Sequence, residues 1–82
     1  MASPKITVRY FAGARAAAGV AEETLEAATL GDVVAELTGR GEPLTRVLTA
    51  CSYLVNGLAA RDHDIPLVDG ATVDVLPPFA GG

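Results

Sequence analysis

Hydrophobic and polar positions alternate at period two from Lys5, where Ile6, Val8 and Tyr10 interleave with Thr7, Arg9 and Phe11, as in a half-buried strand. The alanine-rich run 12–18 then favours a helix of two turns, closed by Gly19 as a C-cap residue. Residues 22–27 alternate less cleanly around Leu25 and read as a return strand. Thr29 and Asp32 have the spacing of a capping box, with Asp in place of the usual Glu. Behind them Leu30, Val33, Val34 and Leu37 recur at helical spacing until Gly39 and Gly41, which defines the main amphipathic helix.

Pro43 opens a shorter helical pattern, with Leu44, Val47 and Leu48 on one face, and is expected at the first helical position, where its missing N–H costs nothing. This helix is expected to end around Ala50 or Cys51. Strands are predicted at 52–55 and 58–61, joined by Asn56-Gly57, the dipeptide most typical of a tight hairpin. An irregular connection follows at 62–69, then an Asp69-Gly70 turn and a final strand at 71–76. Pro77-Pro78 stops that strand, since proline cannot donate to a ladder. The predicted order is β-α-β-α-α-β-β-β, an α+β domain over 1–76 with a flexible C-terminal tail over 77–82.

Eighty-two residues support one core and no second domain. Six Lys and Arg against ten Asp and Glu give a net charge of −4, opposite in sign to a phosphate-binding footprint. Four aromatics (Tyr10, Phe11, Tyr53, Phe79) provide no stacking platform for single strands. Nucleic acid and anionic membranes are therefore not expected partners, whereas a basic protein cleft is. The single Cys51 allows no intrachain disulfide, and no segment reads as a signal peptide or a membrane span, so a cytoplasmic protein is expected.

Candidate chemistry concentrates in Pro77-Pro78-Phe79-Ala80-Gly81-Gly82. A rigid spacer followed by two glycines presents a terminal carboxylate without obstruction, and glycine, lacking Cβ, enters narrow channels. Extended, the six residues reach roughly 20 Å. Taken alone, an ending in Gly-Gly is weak and could be an incidental tail.

In context, the chain resembles the small subunit of molybdopterin synthase, a ubiquitin-like β-grasp sulfur carrier. The resemblance is carried by TVRYFAGARAAAG at 7–19, TLGDVVAEL at 29–37, SYLVNG at 52–57 and DGATVDVLPPFAGG at 69–82. It implies a β-grasp fold, a mixed sheet of about five strands packed on one main helix with one or two short helices. It also implies a carrier mechanism: an E1-like enzyme, using ATP and Mg, adenylates the Gly82 carboxylate; a sulfur donor protein displaces AMP; and the thiocarboxylate delivers sulfur to a pterin precursor. Gly82 is then the reacting residue, and Pro77, Pro78, Phe79, Ala80 and Gly81 insert into the partner. The chain itself is expected to bind no cofactor and no metal and to leave catalysis to its partners, the large synthase subunit among them, since its sequence holds no phosphate-cradling motif and no catalytic pair.

In a β-grasp sheet the first and last strands run parallel, so Phe11 and Leu76 end beside the root of the tail. Both are out of parity with the buried positions of their strands, as is Leu54. These three are expected to form, with Phe79, an apolar docking patch for the large subunit and for the adenylating enzyme; the bland alternative is that the helix at 12–18 folds back over Phe11. Cys51 is expected to be a small buried hydrophobe, His63 part of a solvated turn, and Arg9 and Arg15 at most interface contacts. Rival functions are a sulfur carrier for thiamine, cysteine or another sulfur metabolite, a ubiquitin-like modifier joined to lysines, and a non-covalent interaction module. Phe11-Ala12 and Arg15 favour the molybdopterin type.

Overall fold

A computed structural model describes residues 3–78 of the chain. Strand β1 (Lys5–Tyr10) buries Ile6, Val8 and Tyr10 and leaves Lys5 and Arg9 exposed, as its alternation requires. Helix α1 (Ala12–Ala18) starts after an extended Phe11 and closes on Gly19, whose φ of 81° is the left-handed cap conformation; the Gly19 N–H donates to the Arg15 carbonyl at 3.0 Å. Strand β2 is Glu22–Glu26, and α2 is Leu30–Thr38. The capping box forms at α2: the Asp32 N–H donates to Thr29 Oγ1, and the Thr29 N–H to Asp32 Oδ2, each at 3.2 Å.

Helix α3 spans Leu44–Leu48, and Pro43 precedes it as the N-cap residue, one position earlier than the sequence pattern places it. The cause is visible in the bonding: the Pro43 carbonyl accepts from the Val47 N–H at 3.2 Å and so opens the helical ladder from outside. Strands β3 (Ser52–Val55), β4 (Leu58–Ala60) and β5 (Thr72–Leu76) complete the chain, with β4 and β5 each one residue shorter than expected. Asn56 and Gly57 take φ of 49° and 84° at the β3–β4 turn, the two positive values a tight hairpin demands.

The sheet order is β2-β1-β5-β3-β4, with β1 and β5 parallel and every other neighbour antiparallel. Ile6, Val8, Tyr10, Tyr53, Val73 and Val75 share one face and join Ala14, Leu30, Val33, Leu37, Leu44 and Leu48 from the helices in one core. The segment between β4 and β5 straps the start of α2. There the Leu30 and Gly31 N–H groups donate to the carbonyls of Ile65 (3.1 Å) and His63 (2.8 Å), while Leu67 is buried and bonds Ala28. Those bonds satisfy donors that the first helical turn leaves free. Gly31 is where the strap comes nearest, because a Cβ there would stand 3.1 Å from the His63 carbonyl oxygen. Five strands curled over one main helix, with a central parallel pair, make the ubiquitin-like β-grasp. No helix among the described residues is long and apolar enough to cross a membrane.

Candidate functional site

The parallel pairing of β1 and β5 brings both strand ends to one edge of the sheet. Tyr10 stands opposite Val75, and the Phe11 N–H donates to the Val75 carbonyl at 3.2 Å. Beyond that bond the two chains part: one turns into α1, the other runs past Leu76 to half-buried Pro77 and exposed Pro78. Phe79, Ala80, Gly81 and Gly82, on which the insertion and reaction assignments fall, lie outside the described residues.

Phe11, Leu76 and Leu54 all belong to the sheet face opposite the helices. Leu76 is level with Phe11 and stands opposite Ser52, and Leu54 is two positions along β3 from Ser52. All three are half-buried; the strongly exposed large apolar side chains, Leu58, Val68 and Val20, lie elsewhere. Helix α1 packs against α3 and sends Ala14 into the core on the helix side of the sheet.

Between these apolar positions sits an ion pair that the sequence pattern does not announce. Arg9 Nε donates to Asp74 Oδ1 at 2.7 Å and Nη2 to Oδ2 at 3.0 Å, a two-pronged contact across the parallel strands. Asp74 is 5% exposed and is the one buried charged residue among the described residues, whereas the Arg9 side chain is half-exposed. The Asp74 hydrogen bond and charge push the Arg9 pKa further up, so its cation persists at every working pH. The guanidinium lies 5.7 Å from the centre of the Phe11 ring, within cation–π range. A hollow of about 250 Å³ opens beside this ring, lined by Arg9, Phe11, Ala12 and Arg15 among others. The signal that could have exposed the pair is Asp74 itself, a carboxylate in mid-strand at an out-of-parity position with Arg9 at the matching position of β1.

On the helix face, the Tyr10 hydroxyl donates to Glu23 Oε2 at 2.6 Å, and Arg40 Nη1 donates to the same oxygen at 2.6 Å. Arg40, more than the tyrosine, holds the Glu23 pKa below its ordinary value, and burial together with Glu23 pushes the Tyr10 phenol well up. This network ties the end of β1 to β2 and to the turn after α2, and so steadies the strand that ends at Phe11.

Cys51 is half-buried; its thiol donates to the Val47 carbonyl at 3.2 Å, and burial pushes its pKa up, away from a reactive thiolate. His63 meets the Tyr53 ring edge-on at 6.3 Å. Among the described residues, no group of three or more His, Cys, Asp or Glu is placed to hold a metal ion.

The model of the ThiS family matches residues 8–82. The molybdopterin synthase sulfur carrier subunit of Chlamydomonas reinhardtii is 35% identical, over 95% of this chain and 99% of its own length. Among solved structures, a putative molybdopterin converting factor subunit 1 from Pyrococcus furiosus superposes with a TM-score of 0.83 at 33% identity, covering 93% of this chain and 99% of that one. The small archaeal modifier protein 1 of Methanosarcina acetivorans gives 0.83 at 27% identity, covering 96% and 97%. A complex of subunits 1 and 2 of the molybdopterin-converting factor from Helicobacter pylori gives 0.77 at 27% identity, covering 95% and 99%. With a family model spanning nearly all of it and a relative matched end to end that is a sulfur carrier subunit of molybdopterin synthase, this chain belongs to the ThiS family of ubiquitin-like β-grasp proteins.

Proposed function

We propose that the chain carries sulfur as a thiocarboxylate on Gly82 and hands it to a pterin precursor in molybdopterin synthesis. The observation that carries this reading is the exit of β5: the ladder ends at Leu76 beside Phe11, and Pro77-Pro78 lead directly into Phe79-Ala80-Gly81-Gly82. A carboxylate is a poor electrophile until one oxygen becomes a good leaving group. Activation therefore comes first: the Gly82 carboxylate attacks the α-phosphorus of ATP on an E1-like enzyme that also holds Mg, and pyrophosphate leaves. Hydrosulfide released by a donor protein then adds to the acyl carbon, expels AMP and loses its proton, which leaves the thiocarboxylate. ATP and Mg belong to the activating partner; this chain contributes the acceptor carboxylate and the surface that presents it.

The large synthase subunit and the activating enzyme dock in turn on the face around Phe11, Leu76 and Leu54, with the tail 77–82 inserted into each partner's site. The Helicobacter pylori complex of subunits 1 and 2 supports the first of these partners. The modifier protein among the structural neighbours supports a second reading, in which Gly82 ends in an isopeptide bond to a lysine.

One reconstitution separates the two. The thiocarboxylated chain is incubated with the large subunit and the pterin precursor in one arm and with lysine-bearing protein extract in the other. Sulfur appearing in the pterin, with the carrier returned to a carboxylate, supports the carrier reading. No sulfur reaching the pterin in the first arm, with lysine conjugates accumulating and sulfide released in the second, supports the modifier.

A further inference from the structure

Strand β2 lies at one edge of the sheet, paired with β1 on one side only. The Tyr10 N–H donates to the Ala21 carbonyl at 2.9 Å and the Ala27 N–H to the Pro4 carbonyl at 3.0 Å, which fixes the phase of the antiparallel ladder. Glu23 and Leu25 therefore face β1 with their backbone groups, and the N–H and C=O groups of Glu22, Thr24 and Glu26 point outward. Among the described residues no strand pairs with them.

Beside this edge runs a groove of about 440 Å³ between β2 and α2, lined by Lys5, Thr24, Leu25, Glu26 and Glu36. Leu25 is half-buried and packs against the core, which gives the groove an apolar position between polar walls. Four carboxylates border edge and groove, Glu22, Glu23, Glu26 and Glu36. Two cations answer them: Lys5 stands opposite Glu26, and Arg40 lies 2.6 Å from Glu23 and 3.9 Å from Glu36. Arg9 stands opposite Glu22, but its charge is engaged by Asp74. The edge is thus net acidic, on a chain of net charge −4.

That charge decides what can pair there. A second copy added antiparallel about Thr24 would set Glu22 opposite Glu26 at both ends, and like charges directly opposed destabilise a strand pair. A strand with Lys or Arg at alternate positions would instead face Glu22 and Glu26. Its intervening side chains would enter the groove over Leu25 and beside Glu36.

We propose that the free edge of β2, together with its groove against α2, accepts an extended basic segment of a partner protein by strand addition. Backbone hydrogen bonds to Glu22, Thr24 and Glu26 hold the segment, and the carboxylates select its charge. Because β2 runs antiparallel to β1, Glu26 and Lys5 lie at the end of the sheet away from Phe11 and Leu76. Glu22, at the other end of β2, stands opposite Arg9 and lines the hollow beside Phe11, so a segment long enough to reach it borders the docking face.

The test is a titration of the full-length, isotope-labelled protein with a capped peptide alternating Lys and Val, against the same peptide with Glu for Lys. The expected result is amide shifts and slowed hydrogen exchange at Glu22, Thr24 and Glu26, with shifts at Glu36, and binding at least about tenfold tighter than that of the Glu peptide. Thr24→Pro removes an outward N–H that only an added strand uses, and is expected to abolish binding. Glu22→Lys with Glu26→Lys is expected to reverse the preference, which keeps the idea exposed if the proline variant fails to fold. No shifts, shifts centred elsewhere, equal response to both peptides, or concentration-dependent shifts at these amides without peptide, the sign of a second copy, would each overturn it.

Discussion

Arg9 and Asp74, 65 positions apart in sequence, meet across the parallel β1–β5 pair through two hydrogen bonds of 2.7 and 3.0 Å. The contact joins the two strands whose ends define the candidate site, on the face that carries Phe11, Leu76 and Leu54. A buried carboxylate left without its partner is costly, whereas removal of both partners in favour of apolar groups is close to neutral. Arg9→Leu is therefore expected to lower the Tm more than the double variant Arg9→Leu/Asp74→Val does. Equal losses in thermal melts would show that the pair does not support the fold.

Two glycines should respond to alanine with opposite signs. Gly13 lies inside α1 with no atom within 4 Å of the point an alanine Cβ would occupy, so Gly13→Ala is expected to stabilise by about 0.5–1 kcal/mol. Gly57 sits at φ 84° in the β3–β4 turn, so Gly57→Ala is expected to cost about 1–2 kcal/mol. Urea midpoints of the two variants check both values.

The Glu23 carboxyl has its pKa lowered from an ordinary 4.5, first by the Arg40 hydrogen bond and then by the Tyr10 hydroxyl, with burial opposing. A depressed carboxylate contributes stability above its unfolded-state pKa and loses it as pH falls through the folded-state value. The stability gap between the native protein and Glu23→Gln is thus expected to be constant near neutrality and to shrink below pH 4.5. Denaturant melts of both proteins from about pH 7 to about pH 3 measure it. A gap that widens on acidification would contradict the sign.

If the Phe11 face docks the large subunit, Phe11→Glu places a charge at the centre of the contact. The expected loss is about 2 kcal/mol or more, roughly a thirtyfold weaker Kd by calorimetry. An unchanged Kd would remove Phe11 from the interface.

Much of this fold is legible in the sequence because its signals are local. The Thr29–Asp32 box, the Gly19 cap, the Asn56-Gly57 turn and the parity of Ile6, Val8, Tyr10, Val73 and Val75 each need only a few neighbouring residues. The Arg9–Asp74 pair and the Tyr10–Glu23–Arg40 network depend on strand neighbours and helix placement, which no local window contains. The strap over the start of α2 is hidden for the same reason, since residues 62–69 carry no periodicity and bond through backbone groups. Pro43 falls one position outside its helix because proline suits both the first turn and the residue before it. At the candidate site, parity places Phe11, Leu54 and Leu76 on the helix-free face, but it carries no information on how deeply each is covered.

The central claim is that Gly82 carries the sulfur, and the most direct measurement is the intact mass of the chain after incubation with an E1-like activating enzyme, ATP, Mg and a sulfur source, beside a variant lacking Gly82. The expected result is a gain equal to one oxygen replaced by sulfur in the full chain and none in the deletion. An unchanged mass with an enzyme that loads another carrier in the same mixture would contradict it.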